Sequence, residues 1–273
     1  MGNVASRLAA LKARRLPPRP EQLAPPAAGA DGGASDDDQY WYATGRRRPA
    51  LRGLAHAAAL ALSPAWVYAM LSSACGVNGE GHWNVQAVAA ATLSVLATAL
   101  VFATSSNYHL TMWRDVAAEH RAMNADYLAI SGILAFGVAP CYVLLAPRSG
   151  YFSGWALLGY SALAGIATAA VSLGGASHAV RTAVVAGQGC LCAALVSAVS
   201  LDAHETSLLQ IICVLCVAGS LVFGLKVPPA DGRFARWFDY HDVFHALVTA
   251  AFACGYILNL SVIARVQRQQ QQQ

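Results

Sequence analysis

Seven apolar stretches decide what this chain can become. They cover residues 54–75, 85–108, 127–145, 152–173, 182–201, 208–225 and 243–263, and each approaches the roughly 20 residues a helix needs to cross about 30 Å of hydrocarbon. With 56% hydrophobic and only 12% charged residues in 273, the chain is too apolar for an ordinary soluble protein. The expected fold class is all-α: a seven-transmembrane helical bundle, integral to a membrane.

The links between these stretches are short and polar, as in "GVNGEGHWN" (76–84), "APRSG" (146–150) and "GGASHAVR" (174–181), which predicts a compact bundle. The weakest separation lies between the fourth and fifth stretches, where Gly174, Gly175 and Arg181 stand alone. One continuous helix there would reduce the count to six. Small residues recur within the stretches, for example "SALAGIATAAVS" (161–172), and they let membrane helices approach closely. Pro64 and Pro140 mark expected kinks or interrupted hydrogen bonding.

Basic residues accumulate on the cytoplasmic side of membrane proteins. A cytoplasmic amino terminus places Arg114, Arg121, Arg181, Lys226, Arg233 and Arg236 inside with Arg46–Arg48, leaving Arg148 in the outer loops. Residues before about Trp41 are rich in Pro, Ala, Gly and charge and cannot bury enough apolar surface to fold alone. The expected organisation is a disordered basic tail over 1–48, a seven-helix domain over 49–266 and a disordered polyglutamine tail over 267–273. The start does not read as a secretory signal. The seven cysteines lie in or at the ends of apolar runs and suggest no disulfide framework, and Cys213 and Cys216 read as packing residues despite their metal-like spacing.

Ionisable groups at membrane depth are costly, so their positions carry information. His109 ends the second stretch, Asp126 begins the third, and His241 and His245, four apart on one helix face, open the seventh. In the expected orientation all four lie near the cytoplasmic end, and Ser105 sits one turn from His109 on the same face. Three neutral imidazoles with an open fourth position are what a catalytic Zn²⁺ uses, and a neighbouring carboxylate can orient or deprotonate water. A single histidine at a helix end can simply reach toward the interface, and an Asp at a helix start is often an N-cap. Four such groups at one depth favour metal. His120, Asp115 and Glu119 read as solvated loop residues, His82 and His204 as outer ones, and His56 either approaches the site from below or packs at the interface.

These residues resemble the hemolysin III family, within the larger group that includes the adiponectin and progestin membrane receptors. The likeness spans about 49–263 and rests on Ser105-x3-His109, Asp126 seventeen residues later, and His241-x3-His245 in "YHDVFHAL". It implies seven helices, a cytoplasmic amino terminus, and zinc held by His109, His241 and His245, with Asp126 facing the metal's water and Ser105 in the polar surroundings. Adiponectin receptors and alkaline ceramidases share this set, which implies hydrolysis of ceramide amides. The receptor branch has a Glu-x2-Asn-x3-His pattern where this chain has Pro49, Arg52 and His56, so receptor-type recognition does not carry over.

A retinal protein would need a lysine in the last stretch, and the lysines here are Lys12 and Lys226. What remains is a zinc-dependent hydrolase of lipid amides, a receptor with structural zinc, or a pore; an open fourth position beside Asp126 favours the hydrolase. The expected partner is a membrane lipid, substrate or ligand, with no nucleic acid. Nothing in the sequence fixes the oligomeric state.

The opening "MGNVAS" matches a myristoylation pattern at Gly2 with Ser6, and Arg7, Lys12, Arg14 and Arg15 supply the polybasic second signal that one acyl chain requires. The expected outcome is a myristoylated Gly2 in intact-mass spectra of the amino-terminal peptide from native cells. A retained Met1, or an unmodified or acetylated Gly2, excludes the anchor.

Overall fold

The computed structural model describes residues 42–45, 48–76, 84–146, 153–230 and 234–272. The expected tail before Trp41, Gly2 and its acylation pattern, His82 and Arg148 lie outside these residues. Among the described residues eight helices account for seven spans: α1 (Leu54–Ala74), α2 (Val85–Leu110), α3 (Val116–Phe136), α4 (Ala139–Leu145), α5 (Gly154–Leu173), α6 (His178–Ser197), α7 (Ala203–Leu225) and α8 (Tyr240–Gln271). Seven apolar crossings follow, α3 and α4 together forming the third, and this is an integral, multi-pass membrane protein.

Most helices begin where a side chain takes over an orphan backbone donor. Asn84, Asp115, Ser153 and Ser177 cap α2, α3, α5 and α6, while Asp202 and Asp239 open α7 and α8 with reciprocal capping boxes completed by Glu205 and Asp242. The fourth and fifth spans are separate helices: α5 stops at Leu173, Gly175 takes φ +79°, and Ser177 starts α6.

Successive helices pack side by side and α8 returns against α1, so the spans close into a ring. Inside the ring, α4 buries Ala139, Cys141 and Tyr142 completely against α2, α5 and α8. Outward-facing Leu62, Tyr68, Leu163, Ile166, Val214 and Leu221 are exposed, as suits side chains whose solvent is lipid.

The two internal prolines behave differently. Pro64 lies within an unbroken α1, whereas the third span is broken ahead of Pro140, at Gly137 and Val138. Hydrocarbon cannot hydrogen-bond the carbonyl freed by such a break. Asn259 from α8 donates Nδ2 to the Gly137 carbonyl at 2.7 Å and to Ser94 Oγ at 3.0 Å, and Ser94 donates to the same carbonyl at 2.7 Å.

Two expectations at the chain ends are corrected. The closing glutamines continue α8 through Gln271, and buried Gln267 donates Nε2 to the Ala74 carbonyl at 3.2 Å. At 32 residues α8 is about 48 Å long, so it extends past the hydrocarbon, where glutamine is a good helix former. Residues 42–45 and Arg48, assigned to the tail, dock on the histidine end of the bundle.

Replacing Asn259 with Ala removes both of its donated bonds and is expected to destabilise the protein by about 1 kcal/mol in detergent unfolding. An unchanged transition would show that Ser94 alone satisfies the break.

Candidate metal centre

His109 sits in the last turn of α2, His241 and His245 in the first turns of α8, and Asp126 on α3. One ligand nitrogen from each histidine lies within 4.8 Å of the others, forming a group that could hold a metal ion. His109 and His245 are almost fully buried and His241 is half-buried. Nε2 of His109 is 3.1 Å from Nε2 of His245 and 3.9 Å from Oδ2 of Asp126.

The outer nitrogens of the two buried histidines are also engaged. Nδ1 of His109 lies 2.9 Å from Tyr42 Oη, and Nδ1 of His245 lies 3.2 Å from Nε2 of His56. In the tautomer that carries the proton on Nδ1, each ring donates outward and both Nε2 lone pairs face inward. In that tautomer the two nitrogens, 3.1 Å apart, offer a pair of lone pairs to a cation, whereas a proton on one of them would make an N–H···N bond of the same length. The donor set therefore fits a metal.

Asp126 lies beside His109, but it does not begin the third helix. The third helix starts eleven residues earlier, at the Asp115 cap, so Asp126 lies well inside α3 and projects into the bundle instead of capping it. Ser105 is buried beside this carboxylate without an aligned hydrogen bond. Glu119, expected in solvent, is fully buried in the first turn of α3 because Thr44 donates to it through its backbone N–H (2.9 Å) and hydroxyl (2.8 Å). His204, expected on the outer side, is exposed in the first turn of α7, away from the cluster.

The local setting of His241 and His245 answers why "DYHDVFH" places charges around two histidines. Asp239 accepts the His241 N–H at 2.8 Å, and Asp242 accepts the Asp239 N–H at 3.0 Å. Arg52, only 6% exposed, binds both carboxylates, through Nη2 to Asp239 at 2.6 Å and Nε to Asp242 at 2.9 Å. Burial alone would lower the Arg52 pKa, but Asp242 and then Asp239 outweigh it and leave the pKa raised, so the guanidinium keeps its charge. The position that departs from the receptor pattern thus clamps the start of the metal-site helix. Gly53 follows at φ +81°, and a Cβ there would lie 2.7 Å from the His109 Cβ. Sequence reasoning missed this clamp, although the Asp-x2-Asp spacing ahead of an apolar run is itself a capping signal.

Two cavities flank the centre. The smaller, about 120 Å³, is lined by Asp126, His241, His245, Tyr127 and Arg181 among others. The larger, about 510 Å³, fills the interior between the Gly137 break and the centre and is almost entirely apolar. Phe102 and Thr249 line it, and they touch His56 and His245 respectively.

The sequence matches the family described as Haemolysin-III related over residues 44–256. The chain belongs to that family. Comparison with individual curated proteins gave no match. The matched range covers all four residues at the cluster and the Thr44 contact beneath it, so the family assignment and the geometry concern the same part of the molecule.

Replacing Arg52 with Met leaves two buried carboxylates uncompensated and is expected to cost roughly 3–5 kcal/mol of stability. Thermal unfolding in detergent checks this, and a loss below about 1 kcal/mol would contradict the clamp.

Proposed function

We propose that the chain is a zinc-dependent hydrolase of lipid amides, ceramidase-like, working where the bilayer meets water. The observation that carries this reading is Asp126 Oδ2, 3.9 Å from His109 Nε2, on the wall of a small cavity shared with His241 and His245.

The chemistry of the donors supports zinc. Nitrogens bound at about 2.0–2.1 Å in a tetrahedron lie about 3.3 Å apart, and the His109–His245 separation is 3.1 Å. Three histidines with a carboxylate beside them leave room for a reacting group, which a closed structural site would not. When bound, zinc supplies a Lewis acid that polarises the amide carbonyl and acidifies water.

The remaining work falls to the protein's own residues. Asp126 Oδ2 accepts one proton of the attacking water as the C–O bond forms, then returns it to the amide nitrogen as the C–N bond breaks, releasing a fatty acid and an amine, and the acid's remaining proton passes to the amine to leave carboxylate and ammonium. Ser105, buried beside Asp126, adds a hydroxyl to the polar surroundings of the carboxylate. The Arg181 guanidinium, held over the Tyr127 ring at 5.2 Å, borders the same small cavity and offers a cation to the new carboxylate. The apolar cavity of about 510 Å³ takes the acyl chain.

Purified protein is expected to contain roughly one zinc per chain, and His241→Ala or His245→Ala to lose it; full occupancy in both variants rejects the centre. Asp126→Asn should keep zinc while hydrolysis of ceramide or a related lipid amide falls by roughly 10²–10⁴-fold. Wild-type turnover in that variant removes Asp126 from the mechanism.

A further inference from the structure

We propose that Tyr42 is a positioning residue for the metal, holding the His109 imidazole with Nε2 toward the other histidines, and that the short strap carrying it, residues 42–45, is part of the site. This rests on the metal reading above.

The Tyr42 side chain is 5% exposed, its ring stacks on Tyr108 with centroids 5.7 Å apart, and its hydroxyl meets His109 Nδ1 at 2.9 Å. A neutral imidazole that ligates through Nε2 carries its proton on Nδ1, so Tyr42 Oη is the acceptor that selects this tautomer and fixes the ring plane. Groups in this outer position typically change metal affinity by about 10–100-fold.

The strap is anchored on both sides of Tyr42's partner. Thr44 makes two bonds to Glu119, which is completely buried. Arg48 Nη1 donates to the His109 carbonyl at 3.2 Å and the Leu110 carbonyl at 3.1 Å. These belong to the last turn of α2, where a cation also complements the helix dipole. From the third direction, Gly53 brings the chain against the His109 Cβ. A residue that only filled space would need neither a hydroxyl at bonding distance nor a strap pinned to a buried carboxylate. The arrangement links residues outside the apolar spans to the metal, so any change that lifts the strap weakens metal binding without touching a ligand.

The test compares full-length wild type, Tyr42→Phe, Thr44→Val and, as a control, Tyr68→Phe at a site 70% exposed on the bundle's outer surface. Zinc affinity is measured by chelator competition, and the cobalt-substituted proteins by visible absorption. Tyr42→Phe is expected to weaken zinc about 10-fold or more and shift the cobalt spectrum, while unfolding of the metal-free protein stays unchanged. Thr44→Val should weaken zinc less, and Tyr68→Phe not at all. Wild-type zinc affinity in Tyr42→Phe overturns the inference while leaving the metal site intact. A Tyr42→Phe protein that does not fold passes the decision to Thr44→Val: weakened zinc supports the strap's role, and unchanged zinc overturns it. A wild type that binds no zinc overturns the proposed function itself, and this inference with it.

Discussion

Hydrocarbon offers no hydrogen bonds, and that constraint shapes the buried polar features of the described bundle. Where the third span breaks at Gly137, Asn259 and Ser94 reach the freed carbonyl. At the end of the bundle away from the histidines, completely buried Glu205 closes the α7 capping box and is gripped by Arg265 at 3.0 and 2.6 Å. At the histidine end Arg52 does the same for Asp239 and Asp242. In both places an arginine from another part of the chain neutralises a carboxylate that caps a helix. A cap that serves only its own helix in water here ties that helix to the rest of the ring.

The histidine cluster depends on this arrangement more than on its three side chains alone. His241 and His245 come from one helix, and their separation follows from helix periodicity. Their relation to His109 does not, because α2 and α8 touch only slightly while each packs extensively with α1. The start of α1 supplies the alignment. Arg52 holds the first turn of α8, Gly53 lies against His109, and His56 meets His245 Nδ1 at 3.2 Å. These few residues set the distance between two ligand helices.

This division explains what the sequence revealed. The seven spans were legible because bilayer thickness imposes a length and an apolarity that need no tertiary information. The three histidines and Asp126 were legible because charge at membrane depth is costly. Asp126's place inside α3 was obscured because the turns from Asp115 to Ala125 are polar and read as a loop, although Asp115 is a sound N-cap. Tyr42 and Thr44 escaped notice, and Glu119 was read as solvated, because the Tyr42–His109 and Thr44–Glu119 pairings span 67 and 75 positions and join a polar segment to helix ends, with no periodicity to mark them. The final turns of α8 were hidden by composition: a glutamine run looks like low complexity, yet nothing in it stops a helix already under way.

Under the proposed function the two cavities divide recognition unequally. In the large cavity the contacts are apolar, and each methylene of a bound chain contributes about 0.8 kcal/mol, a weak and graded preference that tolerates many chain lengths. A polar group placed against buried partners discriminates far more sharply, because the wrong substrate leaves those partners unpaired. Arg181 and the Asp126 carboxylate border the small cavity, whereas the large one offers mainly carbon. For the hydrolase proposed above, selectivity therefore comes from what surrounds the scissile amide. In that proposal the length of the chain behind the amide sets how tightly a substrate binds, and the polar end decides whether it is accepted.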